Sequence, residues 1–170
     1  MPILAFIGLG LLVYVTAFGG ASSAELLPTE YLMTPTSILP ERALVRAELR
    51  RASAEHGLDP SWLDAIAWVE SRWQLSAYNP SDPGGAWGPC QMLGVNIRKL
   101  GHEPAEVLRD AVLAADLAAQ FMASAGAQDL TAAATWWNHG SFYGAPTSTT
   151  TQYVPAVIAA AEQSRGEEIS

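Results

Sequence analysis

The stretch that most constrains this chain is Trp62-Leu63-Asp64-Ala65-Ile66-Ala67-Trp68-Val69-Glu70-Ser71, which follows Asp59-Pro60. Leu63, Ile66, Ala67 and Glu70 fall at i, i+3, i+4 and i+7, the spacing of one helical face. Asp59 is placed to cap the helix, with Pro60 at its first position. Asp64 lies about 100° of helix rotation from Leu63 and is expected to face water. Glu70 ends an apolar stripe. Partial desolvation there would raise the pKa of its carboxyl group and let it hold a proton near neutral pH for transfer to a leaving group. The plainer reading puts Glu70 at an ordinary helix end, pointing to solvent.

Helical patterns also run on either side of this stretch. Pro40 is expected to open a helix that ends near His56, with Gly57 as its stop and Val45, Leu49 and Ala52 on one face. Arg46, Arg50 and Arg51 lie off that face, and Arg42 near its edge, as a solvated surface. Residues 78–89 are dense in Pro, Gly, Asn, Asp and Ser and read as loop. Cys90-Gln91-Met92-Leu93 then resumes as a short helix to Leu100, stopped by Gly101. An alanine-rich helix is expected over Leu108 to Ala125, with Leu113, Ala114, Leu117 and Phe121 inward. Asp129 caps another helix, Leu130 to Trp137, which Asn138-His139-Gly140 closes. A Ser/Thr-rich loop follows to Thr151, then a last helix over Val154 to Gln163 and a frayed polar tail. No alternating strand pattern is evident, so the fold class is mainly α.

At 170 residues with 49% apolar content, the chain has material for one domain with a sizeable core. Ile3 to Phe18 is an uncharged apolar run, followed by small residues at Ser22-Ser23-Ala24 that suit a signal-peptidase site. It is shorter than the ~20 residues of a spanning helix, and no Lys or Arg precedes it. It reads as a cleaved export signal or an uncleaved membrane anchor, and in either case the rest of the chain is expected to be periplasmic or exported. The organisation is then 1–24 signal or anchor, 25–39 linker, 40–165 helical domain and 166–170 tail.

The net charge of −8 offers no phosphate-tracking surface, which argues against a nucleic-acid partner. Cys90 is the only cysteine and can form no internal disulfide. His56, His102 and His139 lack metal-ligand spacing, and no phosphate-cradling Gly-rich loop follows a strand. No metal or cofactor is expected.

Four segments in order carry a resemblance: Glu70-Ser71, then Gly85-Ala86-Trp87-Gly88-Pro89-Cys90-Gln91-Met92, then Trp137-Asn138-His139-Gly140, then Tyr153. Over residues 58–160 they resemble the motifs of the lytic transglycosylases, peptidoglycan-cleaving enzymes with a goose-type lysozyme-like fold (the SLT domain, glycoside hydrolase family 23). The family pattern is Glu-Ser, Gly-Ala-x-Gly-Leu-Met-Gln, an aromatic-Asn-x-Gly and a late Tyr. Pro89-Cys90 departs from the Leu-Met pair, and Trp137 stands where Tyr is usual. These departures bear on substrate preference and rate.

Glycoside cleavage needs a proton for the leaving oxygen and stabilisation of an oxocarbenium-like centre, commonly from a second carboxylate. Asp82 is the only close candidate in sequence, and its Pro/Gly loop explains an Asp equally well as a turn former. The resemblance implies a route without that carboxylate. The substrate's N-acetyl group assists, Glu70 serves as acid and then base, and the muramic 6-hydroxyl attacks to leave a 1,6-anhydro end. It further implies substrate contacts for Ser71, Gln91, Asn138 and Tyr153. Each has a plainer reading, as helix end, exposed helix residue, helix stop or half-buried aromatic. Of the six tryptophans, Trp87 and Trp137 are the candidates for lining a sugar groove. Cys90 reads as a small buried hydrophobe. The expected partner is the peptidoglycan glycan strand, in a secretion, conjugation or phage assembly setting. Two alternatives stand beside the lyase: a hydrolytic goose-type lysozyme, and an inactive cell-wall-binding or assembly module.

Overall fold

The computed structural model describes residues 38–80, 84–139 and 148–168. The export-signal or anchor segment, residues 25–37 of the linker, Asp82 and the loop at 140–147 lie outside the described residues.

The described chain is mainly helical, with one small sheet. Helix α1 spans Ile38–Glu55 and α2 spans Pro60–Ser71. Strands β1 (Tyr78–Asn79), β2 (Ala86–Trp87) and β3 (Met92–Leu93) form an antiparallel sheet in the order β1-β2-β3. Then come α3 (Gly94–Lys99), a 3-10 turn (Pro104–Leu108), α4 (Ala111–Ala125), α5 (Leu130–His139) and α6 (Ser148–Glu168).

Helix α2 is the hub, packed against α1, α5 and α6, while α1 also packs on α4. Asp59 caps α2 by accepting hydrogen bonds from the Ser61 backbone N–H at 2.8 Å and the Ser61 hydroxyl at 2.6 Å. Every residue from Ser61 to Ala67 is buried. Leu49, Leu63, Ile66, Met122 and Val157 form the main core, with alanines of α4, α5 and α6 between them. The small alanine side chains let helix backbones approach closely around one central rod. A second cluster, Met92, Ile97, Val107, Ala114 and Leu117, fastens the sheet region to α4.

Burial on all sides of α2 overturns the expectation for Asp64, which is fully buried rather than solvated. Arg46 grips it with two parallel bonds, Nε to Oδ1 at 3.1 Å and Nη2 to Oδ2 at 3.2 Å. Arg50 donates to Oδ2 at 3.2 Å and to the Ser164 hydroxyl at 2.9 Å, and that hydroxyl donates to Asp64 in turn. Arg46 and Arg50 are therefore not a free solvated surface. They hold α1, α2 and α6 together through one carboxylate.

Other boundaries also shift. Leu108 belongs to the 3-10 turn, and α4 begins only after Asp110, which accepts from the Leu113 N–H at 3.0 Å. The helix expected from Cys90 starts at Gly94, because Met92 and Leu93 pair with β2. These two-residue strands are too short to show alternation in sequence. Helix α6 begins at Ser148 rather than Val154 and carries Pro155 inside it. It also extends to Glu168, through residues expected to fray.

Candidate functional site

The C-terminal end of α2 is built to stop abruptly. Arg72 and Trp73 both adopt left-handed backbone, with φ of 58° and 60°, a conformation that is costly for bulky side chains. The surroundings hold it. The Arg72 N–H bonds to the Trp68 carbonyl at 3.1 Å and the Trp73 N–H to that of Ala67 at 3.2 Å. The Trp73 indole donates to the Asp64 carbonyl at 3.0 Å. Trp68 and Trp73 pack at 4.6 Å between ring centroids, with the Arg72 and Arg46 guanidinium groups over their respective faces. The chain thus reverses directly after Glu70 and Ser71.

Ser71 donates to the Pro89 carbonyl at 2.7 Å and accepts from the Gln74 N–H at 3.1 Å. It ties the helix end to the loop at 88–91 and is not among the residues lining the cleft beside Glu70. In that loop Gln91 has φ of 51°. Its side-chain amide donates to the carbonyls of Gly88 at 2.9 Å and Ala77 at 3.2 Å, which bends the backbone back on itself. Trp137, on α5, donates its indole N–H to the Cys90 carbonyl at 3.1 Å. Helices α2 and α5 therefore converge on one short loop, which Ala77 also ties down.

Glu70, Asn79, Gln91, Leu93, Trp137 and Asn138 line an open cleft of about 250 Å³. Tyr153, from α6, donates its hydroxyl hydrogen bond to Glu70 Oε1 at 2.7 Å. Burial pushes the Tyr153 phenol well above its ordinary pKa, and the charge of Glu70 adds to the effect. The phenol is accordingly a fixed neutral donor to the carboxylate. Asn138 accepts from the Thr150 hydroxyl at 3.0 Å through Oδ1, which leaves its amide N–H groups to point elsewhere.

Of the residues singled out in sequence, Glu70, Gln91, Trp137 and Asn138 share this cleft, and Tyr153 joins them through Glu70. Ser71 supports the cleft from behind. Trp87 does not line it. Its ring packs on Tyr78 at 4.2 Å and its indole N–H donates to the Gly84 carbonyl at 2.9 Å. Gly85, with φ of 75°, lies beneath that indole, where a Cβ would come within 2.7 Å of Trp87 Nε1. Cys90 is buried, and desolvation, with the charges of Glu70 and Asp64, pushes its thiol far up, which removes it as a nucleophile. Sequence reasoning missed Asn79, which faces the cleft from β1, and Thr150, which lies among threonines that read as loop.

No protein-family model matches this chain, and a search of curated proteins finds no significant relative.

Proposed function

We propose that the chain is a lytic transglycosylase with a goose-type lysozyme-like fold. It would cleave the β-1,4 bond between N-acetylmuramic acid and N-acetylglucosamine in peptidoglycan and leave 1,6-anhydromuramic ends. The observation that carries this reading is the Tyr153 hydroxyl bound to Glu70 Oε1 at 2.7 Å, on the wall of a cleft shared with Gln91, Trp137 and Asn138. Glu70 protonates the leaving oxygen and afterwards accepts the proton of the attacking 6-hydroxyl. Tyr153 holds the carboxyl group in one orientation through both steps. The Asn138 amide, fixed by Thr150, offers a donor to the substrate's acetamido or hydroxyl groups.

Among the described residues lining the cleft, Glu70 is the one carboxylate. That arrangement suits assistance by the substrate's own N-acetyl group. The same reading puts the protein's site of action at the cell wall, with the chain exported or anchored by residues 3–18.

Digestion of purified peptidoglycan tests the proposal, with wild type beside Glu70→Gln and muropeptides read by mass spectrometry. Anhydro-muropeptides from wild type alone are the expected result. Reducing-end products would replace the lyase with a hydrolase. No products from a folded wild-type protein would leave a wall-binding module.

A further inference from the structure

Beyond the cleft at Glu70, and sharing Gln91, Leu93, Trp137 and Asn138 with it, lies a larger cleft of about 460 Å³. That volume falls in the range of small-ligand sites. Its wall includes Phe121, Trp136 and Trp137. Phe121 lies 4.7 Å from Trp136 and 6.0 Å from Trp137 between ring centroids, which gives an aromatic surface rather than scattered rings. Asn96, His139 and Lys99 supply the polar rim.

Lys99 is the single lysine in a chain of net charge −8. Many of the other cations are already engaged. Arg46 and Arg50 hold Asp64, Arg51 pairs with Glu48 and Glu55, and Arg165 pairs with Asp59. Arg98 lies 4.0 Å from Glu103, and Arg72 covers Trp68. Lys99 forms no ion pair among the described residues. A compact ammonium on a flexible stem suits an anion whose position varies, and an aromatic wall suits amide planes and apolar faces.

We infer that this second cleft binds the peptide substituent of the muramic sugar and that Lys99 recognises a free carboxylate of that peptide. The inference rests on the glycan-cleaving reading, since it takes the same polymer and extends its contact away from Glu70. An acidic protein acting on an anionic polymer works against long-range repulsion, and Lys99 places a positive charge on the wall of this cleft.

The test uses soluble disaccharide-peptide fragments of peptidoglycan, which lack the scissile linkage, and the same fragments with their carboxylates converted to amides. Binding is read from tryptophan fluorescence, since Trp136 and Trp137 line the cleft. Wild type is expected to bind the carboxylate form about two- to five-fold more tightly, the range for a partly exposed ion pair, with the preference shrinking as salt is raised. In Lys99→Met the ratio falls to about one, and in Lys99→Arg it persists. Equal binding of the two forms by wild type, or an unchanged ratio in Lys99→Met, overturns the inference. If the ratio behaves as expected while peptidoglycan digestion yields no products, the subsite stands and the proposed reaction falls.

Discussion

The hydroxyl of Tyr153 sits 2.7 Å from Oε1 of Glu70, a contact that spans 83 positions of sequence and joins the last helix to the end of the central one. A hydrogen bond to a charged group contributes about 1.5–3 kcal/mol. Tyr153→Phe keeps the ring in the core and removes only the donor. It should lower kcat for peptidoglycan cleavage about ten- to one-hundred-fold with a smaller change in KM, measured by release of soluble muropeptides.

The same phenol links stability to alkaline pH. In the unfolded chain a tyrosine ionises near pH 10, whereas burial and the charge of Glu70 keep Tyr153 neutral in the fold well above that. The folded state therefore retains a proton that the unfolded state releases. The resulting stability is fully present below pH 10 and is lost as pH rises further. Urea denaturation between pH 9 and 11 should show wild type losing stability above pH 10 more steeply than Tyr153→Phe, by about 1 kcal/mol per pH unit. Parallel slopes would contradict the linkage.

Asp64 makes a different prediction, because it holds helices rather than substrate. Its carboxylate is fully buried under Arg46, Arg50 and Ser164. Removing one partner of such a pair strands the other, at a cost of about 3–5 kcal/mol. The two arginine side chains retain 26% and 20% exposure, so Asp64→Ala should fall at the lower end, about 3 kcal/mol, by chemical denaturation. In protein that remains folded, the Tyr153–Glu70 contact should persist and cleavage should continue.

Thr150 is expected to act through Asn138. Its hydroxyl donates to Asn138 Oδ1 at 3.0 Å and so fixes which end of the amide faces the cleft. Thr150→Val preserves shape and removes that donor. It should reduce kcat/KM about three- to ten-fold, in line with the loss of one hydrogen bond of about 1 kcal/mol, whereas Thr150→Ser should restore it. Equal loss in both variants would indicate packing alone.

Glu70 was legible because its position depends on one local period, and the caps at Asp59 and Asp129 and the stop at Gly57 depend on neighbours two or three residues away. Asp64 was not legible. Periodicity gives its angle around α2, but not the number of helices that wrap that rod. The run before Tyr153 reads as loop because three successive threonines favour helix weakly. Tertiary packing overrides that preference, with Thr150 buried and Val157 in the core. The packing of Trp87 was not legible for a related reason: a Gly-rich segment predicts a turn, but not that the indole folds back over Gly85 and Gly84.

The placement of Tyr153 on α6 also sets an order in time. A chain emerging from its ribosome, or threading through a channel, exposes Glu70 long before it exposes the hydroxyl that holds it. The contact therefore forms only after a further 83 positions of chain have followed Glu70. Under the glycan-cleaving proposal, a copy cut short before α6 would lack the hydroxyl that orients Glu70.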